Sequence, residues 1–300
     1  MMDSLSREVW QAHRAAHRHR FALRVDDRIA RSKKQIKHPV YDFLFEYYSF
    51  RPAHLLRWSP GVDVLLEGTE ASETDWPSDF QQVSDGCILD ADRFPQQRRV
   101  FVAWAIEYLE AVSAREPLYH CFGLHEWAMV YHEPQRRHAR VPLRLSQEAT
   151  DSLVDSAPIR CTHFDAFRFF THDAQPLNRH HLTRENAIEY DQPGCVHANM
   201  DLYKWAMKIA PYIRGEVVVE AFEIACEARE LDMRASPYDL SAWNFEPICI
   251  ETKEGRDEYV RLQKSIAVRA AELRAKVLSE YRKLNDAFRV NERDVSAVRS

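Results

Sequence analysis

A chain of 300 residues with 45% hydrophobic content is long enough to bury a substantial core as one large domain or two small ones. Its seven glycines include no GxGxxG and no GxxxxGK[ST], which argues against a dinucleotide fold and a P-loop, and they are too few for a hairpin-rich fold. The net charge is only −5, but ten Arg or Lys stand against three acids between Arg7 and His38, whereas residues 41–92 are acidic, an asymmetry that bears on partners rather than on fold.

Residues 4–37 lack proline and glycine, which predicts one long helix capped by Ser4 or Ser6 within a basic arm over 1–38. His13, His17, Arg20, Arg24, Arg28 and Arg31 recur at steps that place them on one face. That face is either a solvated stripe or a contact for a polyanion. Over 38–61, Phe43, Tyr47 and Phe50 predict a buried aromatic helix, broken near Pro52 and again at Pro60-Gly61. Residues 62–95 read as an acidic, loop-like insertion, with Val62 to Leu66 extended. Helical spacing returns over 96–114 (Val100, Trp104, Tyr108) and again over 118–132 (Leu118, Phe122, His125, Met129, His132). A basic loop bracketed by Pro134 and Pro142 is expected at 133–145, followed by a short helix from Ser146 to about Ser156. Residues 159–172 suggest a short strand leading into an aromatic turn, then an irregular crossing with Thr183 as a cap. Two long helices meeting near Pro211 fill 195–235 and stop at Ser236-Pro237. A last helix over 254–284 and a frayed tail over 285–300 complete the chain. The expectation is a single large multi-helix domain, mainly α, with a minor short-strand component.

No run of about twenty apolar residues could span a membrane, and the N-terminus has no apolar signal region. The six cysteines are scattered without a CxxC pair, as expected of reduced, largely buried thiols in a cytoplasmic protein.

The chemistry concentrates between Cys195 and Asp239, where charged side chains interrupt apolar helices and must be paired, solvated or functional. His197 and Asp201, four apart, form a candidate imidazole–carboxylate pair. Glu230 and Asp232 can turn inward from the acidic stripe Glu216, Glu220, Glu223, Glu227, Glu230, and Arg229 and Arg234 can pair with them or hold a substrate. His163 and Asp165 would share one side of an extended segment, which makes Asp165 a candidate base or electrostatic stabiliser. His125, His163 and His197 are candidate ligands of a divalent metal, although no HExxH or ExxH pair occurs.

The blocks HPVYDFLFEYYSFRP, GLHEWAMVY, THFDAFRFFT, PGCVHANMDLYKWA and RELDMRASPYDL, within 38–260, resemble a family of bacterial proteins commonly labelled 3-methyladenine DNA glycosylase. The resemblance implies a hydrolase that excises alkylated purines from DNA after flipping the base into an aromatic pocket. Trp127, Tyr203 and Trp205 could then stack on the base. A carboxylate among Asp165, Asp232 and Glu230 would stabilise the sugar cation, and Arg20, Arg24, Arg28 and Arg31 would meet DNA phosphates. There is no helix-hairpin-helix motif: Pro60-Gly61-Val62 comes nearest, and Asp63 stands where the next glycine would be. Two alternatives remain open from the residues alone. One is an enzyme, metal-dependent or not, acting on a small anionic or aromatic metabolite in a His/carboxylate/Arg pocket. The other is a non-enzymatic binding protein.

Overall fold

Trp10, His17, Phe21 and Val25 lie along one side of the N-terminal helix and are all buried, so that stripe docks it on the rest of the molecule. The computed structural model describes residues 3–133 and 141–298. Most of the basic loop expected at 133–145 lies outside these residues. Strand β1 (Asp3–Leu5) leads into helix α1 (Arg7–Lys33), whose first turn is capped by Ser6, with its Oγ accepting the Val9 N–H. The arginine face of α1 is not left to solvent. Arg7 pairs with Glu73, Arg14 and Arg18 with Asp75, Arg20 with Glu223, Arg24 with Glu230, Arg28 with Asp42 and Glu46, and Arg31 with Asp27 and Asp42. The basic arm and the acidic segments of the sequence are thus partners within one chain.

The aromatic segment expected as one helix forms two short ones, α2 (Asp42–Glu46) and α3 (Pro52–Leu55). Ser49 takes a positive φ, and Arg51 is extended ahead of Pro52, which opens α3 from its first position. The 62–95 insertion is more ordered than the sequence suggests. It holds β2 (Val64–Glu67), β3 (Phe80–Val83) and β4 (Gly86–Leu89), which with β1 make a four-stranded sheet of order β1-β2-β4-β3. β1 runs parallel to β2, with Asp3 opposite Val64, and the other pairings are antiparallel. Strands of three or four residues give too few alternations to be read from sequence. Gly86 is required here, because a Cβ would lie 1.9 Å from the Leu66 carbonyl oxygen.

Helix α4 (Arg99–Ser113) follows as expected. The helix expected over 118–132 shrinks to α5 (Leu124–Ala128), because Phe122 and Gly123 both take left-handed φ and block propagation from the N-terminal side. Ser146 caps α6 (Gln147–Ser156) through the Ala149 N–H. Instead of a strand, 159–172 carries an isolated pairing of Ile159 with Asn178 and the short helix α7 (Phe164–Phe167). Asn186, not Thr183, sits at the N-cap of α8 (Ala187–Tyr190), and Thr183 accepts the Asn186 N–H.

The central pair is α9 (Val196–Lys208) and α10 (Gly215–Arg234), the most extensively packed helices, with α11 (Lys253–Val298) and α4 against them. The backbone of α11 is helical as far as Val298, within the 285–300 segment expected as a frayed tail, whose last two residues lie outside the described ones. Helix makes up 57% of the structure and strand 8%, a mainly α fold with a small sheet. Buried side chains from the sheet and from the helices belong to one apolar cluster. Among the described residues no helix is long and apolar enough to cross a membrane.

Candidate metal centre

Ten of the thirteen residues of α9 are buried, so its polar side chains must find partners from other elements. His197, in its first turn, lies close to His125 of α5, ring centroids 4.5 Å apart, and its Nε2 is 3.8 Å from Oδ2 of Asp232 on α10. Nε2 of His125 is 2.7 Å from Oδ1 of Asp232, yet neither atom makes an aligned hydrogen bond, and both residues are essentially fully buried. One donor atom from each of His125, His197 and Asp232 falls within a 4.8 Å group. On its other side, the Arg229 guanidinium donates to Asp232 Oδ2 at 2.9 Å and to Glu126 Oε1 at 2.8 Å.

The charges follow from this packing. Burial works against an ionised Asp232, but His125, then His197 and Arg229, outweigh it and hold the carboxyl below the usual carboxylate range. Burial likewise opposes an imidazolium at His125, and the Asp232 carboxylate overcomes it, raising that pKa well above the ordinary value. His197 goes the other way: burial, then His125, push its pKa well below the ordinary value, so it is a neutral imidazole with a lone pair to offer. Glu126 balances Arg229, which leaves the charge of Asp232 for the histidine side.

A second group, His163, Asp165 and Asp201, also draws its donor atoms within 4.8 Å. Its cation position is filled by the chain itself. The Lys204 ammonium is hydrogen-bonded to Asp201 and lies 3.6 Å from Asp165 Oδ2. His163 donates from Nδ1 to Asp191 at 2.9 Å, and Asp191 also accepts from the Tyr108 hydroxyl. The His163 ring stacks on His197 with centroids 5.4 Å apart. The two groups are therefore neighbours: one is closed by Lys204, and in the other the charge of Asp232 is met by the His125 imidazolium and Arg229.

A cavity of about 360 Å³ opens onto the first group. His125 and His197 form part of its wall, with Cys121, Cys161, Cys195, Leu118 and Val196 as its less polar lining. Burial pushes the Cys161 and Cys195 thiols well up, so they remain neutral. Gln192 ties the wall together: its Oε1 accepts from the Leu118 and Gly194 N–H groups, and Gly194 approaches Leu118 too closely for any Cβ. Among the described residues no carboxylate lines the cavity, whereas His120, Arg160, Arg179 and His180 do.

Several residues expected in a site lie elsewhere. Trp127 and Tyr203 have no exposure and Trp205 only 5%; all three pack in the core, and none lines the cavity. Trp127 donates to the Ala235 carbonyl, and Trp205 stacks with Phe101 and Tyr108. Glu230 points outward to Tyr41 and Arg24. Arg234 bonds the Glu246 carbonyl and Glu258. Arg229 is consumed by its two carboxylates. The expected His197–Asp201 pair does not form, because Asp201 accepts from the Tyr48 hydroxyl and Lys204. His163 and Asp165 do approach the same group, but from the start of α7 rather than from a strand, and Asp165 also holds Arg168. Sequence reasoning missed Glu126, Asp191, Arg160 and Arg179, which no local spacing marks.

Comparison with protein-family models, with curated proteins and with solved structures finds no match to this chain.

Proposed function

We propose that this protein is a metal-dependent enzyme acting on a small molecule, with a divalent first-row cation held by His125 Nε2, His197 and Asp232 Oδ1. The observation that carries the reading is the buried convergence of one donor atom each from His125, His197 and Asp232 within 4.8 Å of one another, with His197 a neutral imidazole. Two imidazoles and one carboxylate are a familiar donor set for zinc or ferrous iron with positions left open. Two ligands about 2.1 Å from a tetrahedral ion stand about 3.4 Å apart, so the 2.7 Å pair would have to part by about 0.7 Å to hold one. A cation held there would take the place of the His125 proton, at a position whose surroundings already favour positive charge.

The chain's own groups supply the rest. Arg229 fixes the orientation of Asp232 and keeps one of its oxygens from the metal side, and Cys121 Sγ, 3.5 Å from His125 Nδ1, orients that ring. Both histidines are wall residues of the cavity, which places the candidate centre beside the space a small substrate would occupy. A cation there would polarise a bound water or a substrate oxygen.

Base excision has less support. The aromatic rings it needs for stacking are core residues, and the four arginines assigned to phosphates are paired within the chain. Elemental analysis of the purified protein tests the proposal. We expect about one equivalent of a transition metal, falling at least tenfold in His125→Ala and in His197→Ala. Metal-free protein that also fails to take up zinc or ferrous iron, or variants that retain full metal content, would sink it. Release of methylated purine from alkylated duplex DNA by metal-free protein would restore the excision reading.

A further inference from the structure

We infer that Arg160 and Arg179 form an oxyanion-binding subsite at the wall of the cavity, so that the substrate carries a carboxylate or phosphate group; this deepens the small-molecule reading above and rests on it. The two arginines come together through the pairing of Ile159 with Asn178, where the Arg179 N–H donates to the Ile159 carbonyl at 2.9 Å. Both line the cavity, and neither has a hydrogen-bonded or ion-paired side-chain partner among the described residues. The contrast with α1 is informative, because there every arginine has found a carboxylate. Both guanidiniums belong to the wall of one cavity and both act on His180 beside it, and their planar forks suit a carboxylate or phosphate in bidentate geometry.

The neighbourhood adds to this positive field. His180 has its pKa lowered by burial first and then by Arg179 and Arg160, so both guanidiniums act on it and no carboxylate compensates. Val196 and His197, at the start of α9, line the same cavity. At another part of the wall, Gln263 is 1% exposed, donates its Nε2 to the Gly194 carbonyl and leaves Oε1 without a donor. A ligand that matches the wall has an oxyanion at the arginines and an N–H or O–H for Gln263. Between them, Leu118, Val196 and the neutral thiols favour a largely apolar body.

Calorimetric titration of metal-stripped protein with inorganic phosphate and with benzoate, at constant ionic strength, reads the subsite apart from the metal. We expect saturable binding of at least one probe, weakened about tenfold or more by Arg160→Gln with Arg179→Gln and kept within about threefold in Arg20→Gln, which removes a positive charge away from the cavity. Binding of phosphate alone assigns a phosphate ester, and binding of benzoate alone assigns a carboxylate. The Arg160→Gln, Arg179→Gln variant should retain the thermal stability and metal content of the native chain, since both residues are exposed and have no side-chain partner among the described residues. No saturable binding of either probe, or binding indifferent to the two arginines, overturns the subsite even if the metal is present. A duplex oligonucleotide that binds through these arginines while both small probes fail also overturns it, in favour of a polyanion. Loss of metal with probe binding intact would instead count against the metal centre alone.

Discussion

Replacing Arg229 by Met removes the cation from a dry network. Arg229 is 1% exposed, Glu126 4% and Asp232 0%, and one guanidinium nitrogen serves both carboxylates. Asp232 keeps His125 at 2.7 Å, so the group left stranded is Glu126. A buried ion deprived of its partner costs about 3–5 kcal/mol. The contact of the guanidinium with the Phe43 ring, at 4.3 Å, is largely replaced by the Met side chain. At about 2–4 °C per kcal/mol for a chain of this size, the melting temperature should fall by roughly 10 °C. Adding Glu126→Gln removes the stranded charge and should return about 2 kcal/mol, leaving the double variant more stable than Arg229→Met alone. Urea unfolding followed by tryptophan fluorescence, on metal-stripped protein, measures both. A cost below about 1 kcal/mol for Arg229→Met, or a double variant less stable than the single, would refute the claim that this network is dry and that Glu126 depends on Arg229.

Within the sheet, Gly86→Ala should cost more than about 2 kcal/mol because its Cβ meets the Leu66 carbonyl, whereas Gly68→Ala, with open space and only a φ of +57°, should cost about 1 kcal/mol; thermal melts of the pair decide it, and equal losses would contradict the packing. Along α1, Arg31→Ala exposes the buried Asp42 to a lost partner and should destabilise by about 1–3 kcal/mol, while Arg20→Ala breaks a half-exposed pair and should change stability by less than about 1 kcal/mol. His17 is held by the Leu55 carbonyl at 2.8 Å, and burial lowers its pKa. Its contribution is therefore fully present above the unfolded value of about 6.5 and is lost as pH falls through that value. Stability measured from pH 7.5 to 5 should decline, and His17→Gln should flatten that slope.

Much of the frame was legible in the sequence. The α9–α10 pair, its break near Pro211 and the Ser6 and Ser146 caps follow from apolar spacing and end signals, which are local. The ionic character of the interior was legible as well, because Asp232, Arg229 and His197 sit among residues that must be buried. Their partners were not. Spacing along one helix linked His197 with Asp201, but the real neighbours arrive from α5 and α10, and no periodicity records contacts between elements far apart in sequence. Trp127, Tyr203 and Trp205 looked like stacking surfaces because an aromatic ring reads alike whether it lines a core or a pocket. The charge asymmetry was visible too, but its resolution inside the chain, Arg20 to Glu223 and Arg18 to Asp75, depends on how α1 lies across α10 and the sheet. Arg160 and Arg179 are nineteen residues apart in irregular segments, and only the Ile159–Asn178 pairing brings them together.

Anomalous diffraction from crystals grown with zinc, collected on both sides of its absorption edge, locates the cation itself. The account requires one strong peak about 2.0–2.2 Å from His125 Nε2, His197 and an oxygen of Asp232, with Lys204 still seated between Asp165 and Asp201. A map with no peak at this position, and with His125 donating a well-aligned hydrogen bond to Asp232, would contradict it: the cluster would then be a structural ion pair.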